Sequence, residues 1–341
     1  MNHTTKGNTM RIKRSRAGVV AIAAMLTIGL AACSGSGGRQ EESGGGGTGG
    51  SVADTPRLRI AMITHEAPGD TFWDRIRQGA EAAAAKDNVE LIYSNDPQAP
   101  NQAELIQNAI DQGVDAIAST LSNPSALTPL VQQATDAGIP VVLFNAGGDA
   151  WKDTGALMYF GQDESIAGQA VGERLSEEGA QKAVCVVQEQ GQVQLEARCD
   201  GVVRGFTGQS EKLYVNGRDI SSVQADIQAK LAQDNAIDRV VTLGAPFALA
   251  AVQAADAAGG NAEVVTFDLN EDLTEAIANG DVLWAVDQQP YVQGYEAVDS
   301  LWLYLTNGNT IGGGEAVLTG PSFVDESNIE AIAEYAQRGT R

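Results

Sequence analysis

From Leu58 onward, strand-like and helix-like segments alternate almost without interruption, and this alternation restricts the chain to few folds. Apolar runs of strand length, such as LRIAMIT (58–64) and IPVVLF (139–144), are each followed by a segment with helical periodicity or a turn. Two of the helical segments end at a glycine, Gly113 and Gly138. Repeated βα units imply a parallel sheet with helices on both faces.

The alternation restarts after ALMYFG, with a helical segment that Asp163 would cap. Each of the two runs contains about five βα units, and 341 residues suffice for two hydrophobic cores. The sequence therefore predicts an α/β fold of two doubly wound parallel-sheet lobes.

The first 32 residues have the pattern of a signal peptide. Basic residues precede an apolar run, Ala17 to Ala32, that is shorter than the roughly 20 residues of a membrane span. This favours a cleaved signal over a transmembrane anchor. The LAAC motif, which ends at Cys33, resembles the lipobox of bacterial lipoproteins. That resemblance implies a lipid on Cys33 and a protein held at the outer face of the cytoplasmic membrane.

Residues 33–56 are rich in glycine and serine, and we expect them to form a flexible tether. The leader contains five basic residues and no acidic ones, so its removal takes the formal net charge from −22 to −27. This charge excludes nucleic acid as a partner, because phosphate neutralisation requires clustered lysine and arginine.

Cys185 and Cys199 are the two cysteines that remain after Cys33. Outside the cytoplasm they would form a disulfide; the alternative is a pair of buried thiols. We expect the disulfide.

Sequence signatures of catalysis are absent after the leader. His65 is the one remaining histidine, and the sequence contains neither a G-x-S-x-G elbow nor an H-E-x-x-H motif. No dinucleotide-binding or phosphate-binding glycine loop follows a strand. We therefore expect a binding protein that is not an enzyme and that needs no cofactor or metal.

Ligands of doubly wound sheets bind at the carboxyl ends of the strands, so the residues that follow each strand are informative. In GIPVVLFNAGGD, a buried strand delivers the neutral amide of Asn145 to that edge. The other residues at strand ends are Thr64, His65, Asn95, Thr120, Gln188, Glu189, Gly244, Ala245, Asp268, Asp287 and Gln288.

Three segments occur in an order that resembles the sugar-type periplasmic binding proteins, the ribose- and galactose-binding-like receptors of ABC importers. They are PGDTFWDRIRQGAE (68–81), GQDESIAGQAVGERL (161–175) and VVTFDLNED (264–272). The resemblance extends from Arg57 to the C-terminus. It implies a type I fold whose lobes are joined by a three-crossing hinge and close on a ligand.

The resemblance also implies lobe boundaries. The crossings are expected near Gln162–Asp163, Gln288–Gln289 and Leu318–Gly320. The N-terminal lobe would then contain 57–162 plus 289–318, and the C-terminal lobe 163–288 plus 319–341.

In this family, aromatic rings cover the apolar faces of a sugar while planar polar groups bind its hydroxyls. Phe72 and Trp73 match the stacking pair, and Asp70 matches a polar contact. Thr64 and His65 follow as candidates at the end of the first strand.

In the second lobe the resemblance assigns Arg198, Asp268 and Gln288 to the site. Two positions depart from the family. Asn145–Ala146 stands where many ribose-type relatives have Asp-Arg, and Gly244–Ala245 replaces an Asn-Asp pair. Backbone groups of Gly244 and Ala245 would then bind the ligand instead.

We therefore expect a monomeric, lipid-anchored receptor that captures a neutral sugar or polyol and delivers it to an ABC permease. The alternative is a receptor of the same fold for a sugar-like signal of the autoinducer type. Membrane contact would occur only through the lipid on Cys33.

Overall fold

The computed structural model describes residues 52–67 and 70–341. The expected signal peptide, Cys33 and most of the expected tether lie outside these residues. In the described part of the chain, no helix is long and apolar enough to cross a membrane.

The described residues form twelve strands and ten α-helices, which alternate as the sequence predicts except that no α-helix separates β4 from β5 or β11 from β12. The strands are β1 (Leu58–Thr64), β2 (Val89–Asn95), β3 (Ala116–Ser119), β4 (Val141–Phe144), β5 (Met158–Gln162), β6 (Lys182–Val187), β7 (Gln209–Tyr214), β8 (Arg239–Thr242), β9 (Glu263–Phe267), β10 (Trp284–Asp287), β11 (Val317–Gly320) and β12 (Ser322–Asp325). The helices are α1 (Phe72–Asp87), α2 (Ala99–Asp111), α3 (Pro124–Asp136), α4 (Glu164–Glu177), α5 (Val193–Gly205), α6 (Ile220–Gln233), α7 (Ala245–Ala258), α8 (Glu271–Asn279), α9 (Pro290–Asn307) and α10 (Ile329–Gln337).

The strands form two six-stranded sheets, so the prediction of two doubly wound lobes is confirmed. The first sheet has the order β11-β5-β4-β3-β1-β2 and the second β12-β10-β9-β8-β6-β7. The described pairings are parallel except that of β10 with β12. Each sheet buries apolar side chains on both faces: α1 and α9 cover one face of the first sheet, and α2 and α3 cover the other. Because helices cover both faces of each sheet, successive side chains of a strand are all buried, and the strands are therefore continuous apolar runs in the sequence.

The chain passes between the sheets three times, and each connection is one or two residues long. Asp163 separates β5 from α4, and its side chain accepts a hydrogen bond from the backbone N–H of Ile166 at 2.9 Å, as expected of the helix cap. Gln288 and Gln289 separate β10 from α9, and Pro321 separates β11 from β12.

The third crossing lies two residues later than the expected lobe boundary. β11 continues through Gly320, which pairs with Gln162 of β5, so residues 319 and 320 belong to the first sheet. The expected boundary after Leu318 came from the family resemblance, which gave the crossing only approximately. Backbone pairing continues past the last apolar side chain.

Candidate functional site

A cavity of about 620 Å³ lies between the two lobes, at the carboxyl ends of the strands. Ten of the eleven residues predicted to bind ligand contribute to its wall. They are His65, Asp70, Phe72, Trp73, Asn145, Arg198, Gly244, Ala245, Asp268 and Gln288.

Thr64 is the exception: contrary to the prediction, it does not line the cavity. Its side chain is fully buried, and its hydroxyl lies 2.9 Å from the phenol oxygen of Tyr93. Tyr93 in turn donates to Oε2 of Glu66 at 2.7 Å. Successive side chains of a strand point to opposite faces, so the residue before His65 is directed away from the cavity. Thr64 supports the loop that carries the site.

His65 joins the first lobe to the second through a neutral imidazole. Nε2 of Gln194 lies 3.0 Å from Nε2 of His65, and because an amide nitrogen can only donate, the ring nitrogen is the acceptor. The proton of the neutral ring is therefore on Nδ1, which donates to Oγ1 of Thr120 at 2.9 Å. Burial lowers the pKa of His65 to about 3, which keeps the ring uncharged at any physiological pH. The ring packs edge-on against Trp73, with centroids 4.7 Å apart.

The predicted aromatic pair forms one wall of the cavity. Trp73 is buried in the core of the first lobe and Phe72 is half-buried, and their rings meet edge to face at 5.3 Å. Oδ1 of Asp70 accepts from the backbone N–H of Phe72 at 3.0 Å. This bond fixes the start of α1 and with it the position of both rings.

Asn145 and Asp268 occupy equivalent positions in the two lobes. Asn145 follows β4 and donates its N–H to Phe160 of β5; Asp268 follows β9 and donates its N–H to Val286 of β10, both at 2.8 Å. Both residues have φ of 64°, in the left-handed region that asparagine and aspartate tolerate better than most residues. This conformation turns both side chains out of the strand direction at the cavity.

Gln288, at the second crossing, connects these two side chains. Nδ2 of Asn145 donates to Oε1 of Gln288 at 3.3 Å and to Oε1 of Gln293 at 3.1 Å. Nε2 of Gln288 donates to Oδ1 of Asp268 at 2.7 Å. An amide of one lobe and a carboxylate of the other are therefore held in one chain of hydrogen bonds.

Arg198 is held by a buried ion pair with Glu164. Nε donates to Oε2 at 2.6 Å and Nη2 donates to Oε1 at 3.0 Å, while Nη1 lies 3.6 Å from Oδ2 of Asp268. A Cβ on Gly168 of α4 would collide with the carbonyl of Arg198, so glycine permits the close approach of α4 and α5 that brings the pair together.

The electrostatics of the site favour a neutral ligand. Burial raises the pKa of Asp268 to about 7, although Arg198 opposes the shift. Burial also raises the pKa of Glu189. With Glu164 and Asp268 both near the guanidinium of Arg198, the buried inner part of the cavity has no uncompensated positive charge for an anion.

Gly244 and Ala245 lie where β8 meets α7. Gly244 occupies the N-cap position and Ala245 is the first residue of the helix, so the backbone at this point faces the cavity. Nη1 of Arg198 donates to the carbonyl of Leu243 at 3.4 Å. The predicted role of backbone groups here stays a prediction.

Several residues of the site were missed by the sequence analysis. Glu164 reads as an ordinary acidic residue in the first turn of a helix, and Gln194 lies in a segment, QEQGQVQ, without periodicity. Gln293 is a helical residue that reaches back to the crossing. Gln188 and Glu189 carried a usable signal, because they directly follow β6.

The outer part of the cavity is formed by loops of both lobes. Asp96 and Gln98 come from the loop after β2, while Arg218 and Ile220 come from the segment after β7. These residues are half-buried or exposed, in contrast to the buried inner residues.

Cys185 of β6 and Cys199 of α5 form a disulfide in the structure, with Cα atoms 5.8 Å apart. The bond attaches α5 to β6, the strand next to the edge strand β7 of the second sheet. Arg198 is the neighbour of Cys199, so this attachment lies next to the buried ion pair.

Comparison with known proteins agrees with this architecture. The family model described as periplasmic binding protein domain matches residues 60–310. A carbohydrate transporter from Acidothermus cellulolyticus 11B, whose crystal structure is a complex with myo-inositol, is 63% identical; the match covers 84% of this chain and 100% of that chain, with a TM-score of 0.83.

More distant relatives match by sequence over most of the chain. The xylose/arabinose-binding protein XylF of Sulfolobus acidocaldarius is 25% identical, over 82% of this chain and 74% of the relative. The D-apiose import binding protein of Paraburkholderia graminis is 26% identical, over 82% of this chain and 91% of the relative. The chain therefore belongs to the periplasmic binding protein domain family, among the sugar-binding proteins of ABC transporters.

Proposed function

We propose that this protein binds a neutral cyclic polyol, of which myo-inositol is the best candidate, and delivers it to an ABC permease. The observation that carries the proposal is the chain of hydrogen bonds Asn145–Gln288–Asp268, which joins both lobes at the inner end of the cavity. The 63% identity to a transporter solved with myo-inositol supports the choice of ligand.

The chemistry of the inner residues suits a ring with hydroxyls around its rim. The carboxylate of Asp268 accepts hydroxyl donors, and the guanidinium of Arg198 retains N–H groups beyond the two that bind Glu164. Phe72 and Trp73 offer apolar surface to the C–H face of a ring. A ligand that contacts both Asn145 and Asp268 binds the closed form better than the open form, and this difference drives closure.

Calorimetric titration with myo-inositol, D-ribose, D-xylose, L-arabinose and xylitol tests the ligand class. We expect myo-inositol to bind most tightly and to be recovered chemically unchanged. Absence of heat and of any thermal shift with every member of the panel would reject the proposal. A turned-over ligand would instead indicate an enzyme.

We further propose that the protein is anchored outside the cytoplasm through a lipid on Cys33. The motif LAAC and the tether that follows it support this. In cells, the wild type should fractionate with membranes, and Cys33→Ala should lose the lipid. An unchanged mass and distribution of Cys33→Ala would contradict lipidation. Ser34→Ala, next to the cysteine, is the matched control.

A further inference from the structure

The cavity wall contains a second group of residues besides the buried inner ones. The inner residues Asn145, Arg198, Asp268 and Gln288 are all at least nine-tenths buried. The outer residues, which line the same cavity and are half-buried or exposed, are Asp96, Gln98, Gln188, Glu189, Arg218 and Ile220. They come from both lobes, as the inner residues do.

The size of the cavity exceeds that of one ring. A six-membered polyol occupies roughly the space of five to six water molecules, at about 30 Å³ each. The cavity of about 620 Å³ therefore accommodates more than one such ring.

The outer residues provide the same mixture of groups that suits a hydroxylated ring. Oε1 of Gln188 is buried and has no hydrogen-bond partner among the described residues, so it is available as an acceptor. Arg218 is exposed and forms no ion pair with another described residue, so its N–H groups are available as donors. Ile220 is 42% exposed and provides an apolar edge at the mouth.

The charges of this outer part do not favour an ionic ligand. Asp96 of the first lobe and Glu189 of the second contribute negative charge, and Arg218, also of the second lobe, contributes positive charge. Oxygens of Asp96 accept from the N–H of Gln98 at 2.8 Å and from Nδ2 of Asn101 at 3.1 Å, and carboxylate oxygens have capacity for further donors.

We propose that the natural ligand has two rings: a neutral cyclitol or sugar in the inner part and a second hydroxylated ring, attached through a glycosidic oxygen, in the outer part. The inference rests on the proposed function, since it places a polyol ring at Asn145 and Asp268. The second ring would bind between Gln188 and Arg218 and add contacts to both lobes.

Calorimetry on the full-length protein tests this with myo-inositol and with galactosyl- and glucosyl-myo-inositols linked at different ring oxygens. We expect at least one glycosylated isomer to bind about tenfold more tightly than myo-inositol, a gain of about 1.4 kcal/mol. Arg218→Ala and Ile220→Ala should remove most of that gain and leave the affinity for myo-inositol within about twofold. Arg57→Ala, which replaces an exposed arginine outside the cavity wall, is the matched control.

The outcomes separate the two proposals. If myo-inositol binds and every glycosylated isomer binds more weakly, the two-ring ligand is rejected and the proposed function stands. If a glycosylated isomer binds more tightly but Arg218→Ala and Ile220→Ala behave like Arg57→Ala, the second ring does not occupy the outer part and the inference is also rejected. If no polyol of either kind binds, the proposed function fails and the inference fails with it.

Discussion

The guanidinium of Arg198 donates two hydrogen bonds to the carboxylate of Glu164, at 2.6 and 3.0 Å, and both residues are buried. Two of the arginine's three nitrogens are therefore committed to α4. The third, Nη1, is directed toward Asp268 and the carbonyl of Leu243. The helix pair α4–α5 thus determines which N–H groups the cavity receives.

Removing Glu164 should strongly destabilise the second lobe. Glu164→Ala leaves the Arg198 guanidinium buried without its partner, which costs about 3–5 kcal/mol in the free energy of unfolding. Urea unfolding followed by circular dichroism measures this. Glu177→Ala, at the exposed end of the same helix, is the control and should change stability by no more than about 0.5 kcal/mol. Equal midpoints for the two variants would contradict the role of the pair.

Asn145 should contribute to ligand affinity through its amide. Because its φ is 64°, leucine would strain the backbone as well as remove the amide, whereas glycine removes the amide alone. We expect Asn145→Gly to weaken binding by about 1–3 kcal/mol, the cost of an unmet buried hydrogen bond. Asn88→Gly, at a φ of 57° outside the cavity wall, is the matched control. Unchanged affinity in Asn145→Gly would remove this amide from the site.

Ligand binding should weaken as the pH falls below about 7. The pKa of Asp268 is raised to about 7 by burial, and hydroxyl donors prefer its ionised form, so the bound ligand lowers that pKa. The affinity should rise by up to about tenfold from pH 6 to pH 8 and then level off. His65 does not titrate in this range, because its pKa is about 3. Calorimetry at pH 6, 7 and 8 measures the effect, and a pH dependence retained in full by Asp268→Asn would assign it to another group.

The raised pKa of Asp268 affects the stability of the unliganded protein in the opposite direction: a lower pH weakens ligand binding but favours the folded state. The folded protein holds a proton on Asp268 at a higher pH than the unfolded chain does, because the folded pKa is raised from 3.8. The contribution of this group to stability therefore increases as the pH falls from about 7 toward 4. Without ligand, Asp268→Asn should remove that contribution.

Loss of the disulfide should lower stability. Cys185 and Cys199 are 14 residues apart, and a loop of this size corresponds to about 3 kcal/mol in the chain-entropy account. We expect the double variant Cys185→Ala/Cys199→Ala to unfold at a lower urea concentration than the wild type. Dithiothreitol should lower the wild-type midpoint and leave that of the variant unchanged. A wild-type midpoint insensitive to complete reduction would count against the prediction.

Thr64 should affect stability and not affinity. Thr64→Val removes the hydroxyl that lies 2.9 Å from the phenol oxygen of Tyr93, behind the cavity wall. The expected cost is about 1 kcal/mol of unfolding free energy, with polyol affinity within about twofold of the wild type. A tenfold loss of affinity without loss of stability would place Thr64 in contact with the ligand after all.

Local pattern was sufficient to predict the alternation of elements and most strand ends. Asn145 and Asp268 could be identified because a parallel sheet directs all such ends to one edge. Alternation along the strand directs Thr64 and His65 to opposite sides, but the packing of neighbouring elements decides which of the two faces the cavity.

Glu164 and Gln194 required tertiary information. Their partners, Arg198 and His65, are 34 and 129 residues away in the chain. No local periodicity marks such pairs.

The shortness of the three crossings has a consequence for how the protein can move. With one or two residues at each of Asp163, Gln288–Gln289 and Pro321, the lobes cannot slide past each other or separate by translation; they can only turn about a line through the crossings. Displacement then grows with distance from that line. Gln288 lies almost on it, so a spin label there would report little. A pair of labels at Gln98 and Arg218, at the mouth of the cleft, would show nearly the full change in distance between the lobes.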